Sequence, residues 1–348
     1  MASAKDQTRA VVLRLQQLVG DLLDLDAIFA SRRSVMLRGR SRVPLIDFET
    51  SARGRLLAAG YSDFVIESPP ARAGGFGDRV LLSVNVEPVR AGFPWVAAGL
   101  FPLALASMTL MLGATFAVTF AGILLVHEFG HFFAARRHGM DVSWPYFIPA
   151  PFFFFGTLGA FIRVRSAIRD RIALFDMAVA GPLAGFVVAL TALFVGLPLS
   201  TVVNPSDAVE GIHLGDSLIF KAIGAIVLPN YSPEQDVLLH PIAFAGWAGL
   251  LVTMLNLLPM GQLDGGHIAY AMFGRYQRVI ASVVLLGLAV ASFWWLGWLL
   301  WVVIGIMLRP NHPPTVIDEI PLTPRRRIVG WVAFAVFVLT FIPVPFVL

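Results

Sequence analysis

The chain contains no cysteine, which excludes disulfides and thiolate metal sites. Charge is scarce as well: 14% of residues are Asp, Glu, Lys or Arg, against roughly a quarter in ordinary soluble domains. With 57% of the chain hydrophobic, the composition belongs in a bilayer, and a lipid bilayer is an expected partner. The formal net charge of +4 says little until its placement is known, and no nucleic-acid partner is expected. Residues 1–90 lack both an apolar run long enough to span a membrane and the short apolar core and cleavage site of a signal peptide. This end is therefore expected to stay where it is made.

Two units follow from the composition: 1–90, an N-terminal soluble cytoplasmic domain, and 91–348, a transmembrane domain. In the first, Val11, Leu15, Leu18, Leu22 and Leu25 recur at spacings of four and three, which predicts an amphipathic helix with an apolar seam. The seam admits a homodimer, but local packing is the favoured reading. After an Arg-rich stretch at 31–42, an extended run at 43–48, a helix at 51–59 and extended runs at 64–67 and 79–86 predict a small α+β fold.

Helices of about 20 apolar residues cross a hydrocarbon core. Such spans are predicted at 93–112, 115–135, 174–197, 241–258 and 328–346, and 279–308 reads as a hairpin of two short helices. The fold class is thus a polytopic α-helical membrane protein of about seven transmembrane helices. Arg136, Arg137, Arg163, Arg165, Arg169, Arg171, Arg275, Arg278, Arg309 and the Arg325, Arg326, Arg327 cluster all fall on one predicted side. Asp207, Glu210, Asp216, Glu234 and Asp236 oppose them with the single base Lys221. The positive-inside rule makes the Arg side, and the N-terminal domain with it, cytoplasmic. A prokaryotic plasma membrane is the expected location.

The second span ends Val126-His127-Glu128-Phe129-Gly130-His131. Histidines four apart on a helix project from one face and can share a metal ion, while Glu128 sits about a hundred degrees round the helix. It is near enough to serve as general base toward water on that ion without ligating it. Ionisable groups inside an apolar span are costly and mark function. A catalytic zinc site takes three protein ligands and leaves a position open. Arg137 stands where a metzincin has its third histidine, and Ala134 replaces the required glycine, so that pattern fails. Asp264 is the remaining strong candidate: the second and fourth spans run the same way, Pro259 ends regular helix, and Gly265 and Gly266 permit a turn back toward the metal. The alternative is a helix-capping aspartate.

His-Glu-x-x-His on one span and Asn256-Leu257-Leu258-Pro259 followed by Asp264-Gly265 on another resemble the two hallmarks of the site-2 protease family of intramembrane zinc metalloproteases. The likeness is closer to its plastid-type, EGY-like branch through Pro145 to Pro149, Gly156 to Ile162, Leu174-Phe175-Asp176, Ala180 to Gly185 and Leu214 to Ser217. The resemblance implies one catalytic Zn2+ held by His127, His131 and Asp264, Glu128 as general base, and Asn256 as an oxyanion or substrate-positioning donor. It also implies a transmembrane protein substrate and regulated intramembrane proteolysis. A membrane transporter or metal permease using the same His, Glu and Asp groups is the alternative, and an inactive scaffold a third reading.

Pro145, Pro149 and Pro151 forbid a continuous helix over the apolar stretch 144–155, which predicts a re-entrant loop, and 156–164 reads as an extended strand beside the metal. Gly181 and Gly185 predict close helix packing. Asp176 is expected to cap the third span or support the site, and His267 to partner a ligand.

Overall fold

The computed structural model describes residues 4–31, 34–68, 79–85, 94–203, 213–228, 235–308 and 312–347. Asp207, Glu210, Glu234 and Arg309 lie outside them, as do residues 91–93 at the expected domain boundary.

The N-terminal unit runs α1 (Ala4–Val19), β1 (Leu23–Ala30), β2 (Ser34–Ser41), α2 (Leu45–Ala58), β3 (Phe64–Glu67) and β4 (Arg79–Asn85). Its strands form one antiparallel sheet in the order β1-β2-β4-β3. Alternation along β4 turns Val80, Leu82 and Val84 toward both helices, where they meet Leu15, Val19, Phe48, Ala52 and Leu56. The apolar seam of α1 is therefore covered by its own sheet. Leu81 and Met36 point the other way and are buried against Val316 and Ile317.

Two expectations fail here. The first helix stops at Val19, so Leu22 falls in a turn and Leu25 in β1. The run 43–48, read as extended, is the entry to α2, because Pro44 sits at the N-cap and pre-sets the turn before the first helical residue. Within the Arg-rich stretch, Ser34–Ser41 is strand β2. It crosses β1 at Gly39, where any Cβ would lie 2.2 Å from the Asp24 carbonyl oxygen, beside the register shift between Leu25 and Ala27.

The apolar part begins with α3 (Trp95–Arg137), which is broken at Gly113 (φ 83°, ψ 161°). That conformation is open to glycine and almost nothing else. It divides the helix into two legs close to the expected 93–112 and 115–135. A hairpin follows, with β5 (Tyr146–Pro149) paired to β6 (Thr157–Phe161) and the pairing extended by Val142 with Val164. Its tip packs on the first leg: Ser107 Oγ donates to the Gly156 carbonyl at 2.6 Å, and Phe155 stacks with Phe116.

Next come α4 (Arg171–Gly196), β7 (Thr201–Val203), β8 (His213–Leu214), α5 (Leu218–Val227), β9 (Asp236–Leu238) and α6 (Pro241–Asn256). The chain closes with α7 (Asp264–Phe273), α8 (Gln277–Ala291), α9 (Gly297–Met307), α10 (Pro324–Thr340) and β10 (Phe346–Val347). β7 pairs with β9 and β8 with β10. The helical hairpin expected at 279–308 is α8 and α9. Helix α5 was not foreseen, and α7 only as the helix that a capping Asp264 would open; Asp264 is its first residue and Leu263 its N-cap. Among the described residues, three helical stretches are long and apolar enough to cross a membrane: Trp95–Arg137, Arg171–Leu199 and Asp264–Ala291. This is a helical membrane protein.

Candidate metal centre

The centre lies where the second leg of α3, the middle of α4, and the α6–α7 turn meet. His127 and His131 share one face of α3, both buried, with ring centroids 4.8 Å apart. The approach of α4 is set by small residues. A Cβ at Gly130 would lie 2.6 Å from the Ala180 carbonyl oxygen, and one at Gly181 would lie 2.2 Å from His131 Nε2. Gly185 abuts His127, whose Nδ1 would be 3.1 Å from an added Cβ. The expected close packing at Gly181 and Gly185 is thus packing of α4 onto the two imidazoles themselves.

Asp264 arrives by a tight turn. α6 ends at Asn256, Gly261 adopts φ 57°, and α7 begins at Asp264. A Cβ at Gly265 would lie 2.0 Å from the Leu257 carbonyl oxygen, so only glycine lets the chain fold back this closely. The turn puts Asp264 Oδ2 3.4 Å from His127 Nε2 and 3.2 Å from His131 Nε2, and the two Nε2 atoms are 3.1 Å apart.

These spacings test whether a metal fits. Donors roughly 2.0–2.2 Å from a tetrahedral zinc lie about 3.3 Å from one another, which all three separations approximate. The tautomer agrees: His131 Nδ1 is 2.8 Å from the Met177 carbonyl oxygen and donates to it, leaving the Nε2 lone pair for the ion. Two imidazoles and a carboxylate are a donor set that suits Zn2+.

Glu128 is buried beside this cluster without belonging to it, and its carboxylate faces the main-chain N–H of Ile162, one residue past β6. Asn256 Nδ2 is 3.3 Å from His127 Nε2, so the last residue of α6 reaches the centre too. Asp176 neither caps α4 nor touches the ligands. The cap is Asp170, which accepts from Ala173 N at 2.8 Å. Asp176 takes a two-pronged bond from Arg326 (2.7 Å each) and one from His138 (2.9 Å), tying α10 and the end of α3 to α4. His267 reaches no ligand directly and pairs with His312 at 2.6 Å. Sequence reasoning missed Met177, Gly130 and His312: a main-chain carbonyl and a helix contact leave no side-chain signal, and His312 is remote in the chain.

Comparison with known proteins gives the same assignment. The sequence is 35% identical over 236 residues to "Probable zinc metalloprotease EGY1, chloroplastic" of Arabidopsis thaliana, covering 64% of this chain and 41% of that protein. It is 31% identical over 298 residues to "Probable zinc metalloprotease EGY2, chloroplastic" of the same plant, covering 75% and 51%. "Probable zinc metalloprotease EGY3, chloroplastic" of Oryza sativa subsp. indica is 30% identical over 246 residues, covering 64% and 41%. The chain thus spans about two fifths to one half of the length of these relatives. Their chloroplast location does not support the expected prokaryotic plasma membrane. Residues 115–294 match Peptidase family M50, and with the His127, His131 and Asp264 cluster inside that stretch, the chain belongs to that family.

Proposed function

We propose that the chain is a zinc metalloprotease that hydrolyses peptide bonds within or near transmembrane segments of other proteins. The observation that carries this reading is the division of labour at the centre: three groups converge as ligands, and Glu128 is buried next to them yet outside the ligand set. An ion path needs no such spare carboxylate, so the transporter reading is not favoured.

When bound, zinc supplies Lewis acidity and makes water acidic enough to lose a proton near neutral pH. Glu128 accepts that proton and returns it to the leaving amine, a role its burial suits because few waters compete for it. Asn256 Nδ2 donates toward the oxygen on which charge develops. The Met177 carbonyl keeps the His131 ring fixed, and the Gly130, Gly181 and Gly185 contacts close the α4 side of the site to solvent.

The same reading takes 1–90 as a water-facing domain and 91–348 as the protease domain, with about seven crossings. These are the two legs of α3, then α4, α6, α8, α9 and α10. The Arg clusters and the N-terminal domain share one side, and cleavage releases substrate fragments as regulated intramembrane proteolysis requires.

The test is Glu128→Gln, read by zinc content and by cleavage of detergent-solubilised transmembrane peptides. Zinc should remain while cleavage disappears. Retained cleavage in the zinc-loaded variant would remove Glu128 from the chemistry.

A further inference from the structure

The connector between α9 and α10 touches both the N-terminal sheet and α7, the helix that opens with Asp264. At its near end, His312 Nδ1 donates to the Pro313 carbonyl (2.6 Å), so its Nε2 accepts from His267 Nδ1 at 2.6 Å. The His312 ring also stacks on Tyr270, centroids 4.5 Å apart, and its main-chain N–H donates to Gln277 Oε1 at 3.3 Å. His267 is one helical turn past Asp264 on α7. The connector is thereby held at two points on α7 and at a third on the first residue of α8.

Farther along, the connector is held on two sides. Val316 N donates to the Ile168 carbonyl and Ile317 N to that of Arg169, at 3.0 and 2.7 Å, next to Asp170, the residue that caps α4. From the sheet, Arg38 donates to the Val316 carbonyl at 2.9 Å and Arg79 pairs with Glu319 at 2.8 Å. Met36 and Leu81 bury Val316 and Ile317 between them, and Arg169 pairs with Glu67. The outer face of the sheet is thus occupied by the connector and by the strand-like entry to α4.

We propose that connector 312–320 is a brace through which the N-terminal sheet sets the position of the metal-site turn, with His312 the positioning residue for His267 and so for Asp264. This rests on the metal centre described above. The sheet is then a control element: whatever loosens its grip on Val316 and Glu319 loosens the turn that supplies the third ligand. The brace reaches the site by contacts alone, since His312 stands behind α7 and touches no ligand.

The experiment is hydrogen exchange on the full chain in detergent, resolving peptides over 257–270 and 312–320, together with the visible spectrum of the Co2+-loaded chain. Arg38→Ala with Arg79→Ala should speed exchange over 257–270 roughly tenfold, the scale of losing a part-buried charged partner. His312→Ala should do the same and shift the Co2+ band, and His312→Gln, which keeps an acceptor, should restore most of both. Combining His312→Ala with the arginine pair should add nothing, as for contacts in one chain of transmission. Faster exchange confined to 312–320, or additive effects in the combined variant, overturns the proposal. If the arginine pair unfolds the sheet, Glu319→Ala tests the same link from the connector side. Neither readout requires hydrolysis. A chain that shows the coupling but cleaves nothing sinks the protease reading alone, and one that cleaves without coupling sinks the brace alone.

Discussion

Replacing Gly181 by alanine tests whether α4 is a wall of the metal centre or a mere neighbour. The added Cβ would stand 2.2 Å from His131 Nε2 and 2.5 Å from both Cδ2 and Cε1. Ordinary van der Waals contact begins near 3.4 Å, so the imidazole or the helix must retreat by about 1 Å, several times the roughly 0.2 Å by which ligand distances vary in working metal sites. The ring cannot tilt freely, since Nδ1 is bonded to the Met177 carbonyl on the same helix α4. Nor can α4 slide, because Gly130 of α3 rests on Ala180. Overpacking of this kind costs about 1–3 kcal/mol in fold stability, and the larger effect falls on the metal. Disturbing a group that merely orients a ligand costs roughly 10–100-fold in affinity, and displacing the ligand atom itself should cost at least the upper end of that range. Zinc retained after competition with a graded chelator measures it, with Gly122→Ala as control, since nothing lies within 4 Å of a Cβ there. Wild-type zinc retention and cleavage in Gly181→Ala would refute the assignment of α4 as the wall behind His131.

Asp264→Asn should weaken zinc binding along with cleavage, because a neutral amide is a poorer ligand than a carboxylate; unchanged zinc affinity by competition titration would point to another third ligand. Asp176→Asn should leave zinc bound but lower thermal stability by roughly 2 kcal/mol, the scale of charge-assisted hydrogen bonds, since Asp176 joins Arg326 and His138; an unchanged melting temperature would show that these contacts are idle. Because the chain has no cysteine, single cysteines at Thr201 and Arg325 can be labelled with an impermeant reagent in sealed vesicles, and the two should react from opposite sides.

How far the centre was legible depended on whether its geometry came from side chains or from the backbone. His127 and His131 announce themselves by helical spacing, and Asp264 by the proline and glycines that force a turn. From the sequence Gly181 reads only as helix packing, because a glycine's role is the space it leaves, and that space is defined by a residue fifty positions earlier. The apolar spans at α3, α4 and α6 stood out because lipid imposes composition as well as period. In the N-terminal unit no such constraint applies. Arg38 and Arg40 sit on a strand whose inward residues, Val35 and Leu37, are too few to outweigh the basic run, so β2 was hidden. Pro44 conversely began a helix where β-branched and apolar neighbours suggested a strand. The pairing of His267 with His312 was out of reach, since α8 and α9 intervene and no local pattern links the two.

The β5–β6 hairpin offers the test that bears most directly on how a transmembrane substrate could reach this centre. A substrate helix has its amides satisfied internally and must unwind before a peptide carbonyl can approach the metal, and unwinding exposes groups that are expensive in an apolar setting. Strand β6 pairs with β5 on one side, and its other edge has no strand partner among the described residues. Just past its end, the Ile162 amide faces Glu128. A substrate strand added to that edge would regain main-chain bonds and run toward Glu128, the proposed general base, by the physics of strand addition. The backbone limits how this can be probed. Gly159 holds φ 100°, which proline cannot adopt, and Thr157 Oγ1 braces the hairpin through the Ile148 carbonyl at 2.8 Å, so both positions are unsuitable. Ala160 and Phe161 are suitable, opposite Phe147 and Tyr146. Their amides point to opposite edges because successive residues alternate along a strand, and proline deletes one donor at a time. Proline on the inner edge should loosen the hairpin and lower stability. On the outer edge it should leave fold and zinc intact while reducing cleavage of transmembrane peptides at least tenfold, the scale of one lost buried hydrogen bond. If both substitutions leave cleavage at wild-type levels in folded, zinc-loaded protein, the substrate does not pair with β6.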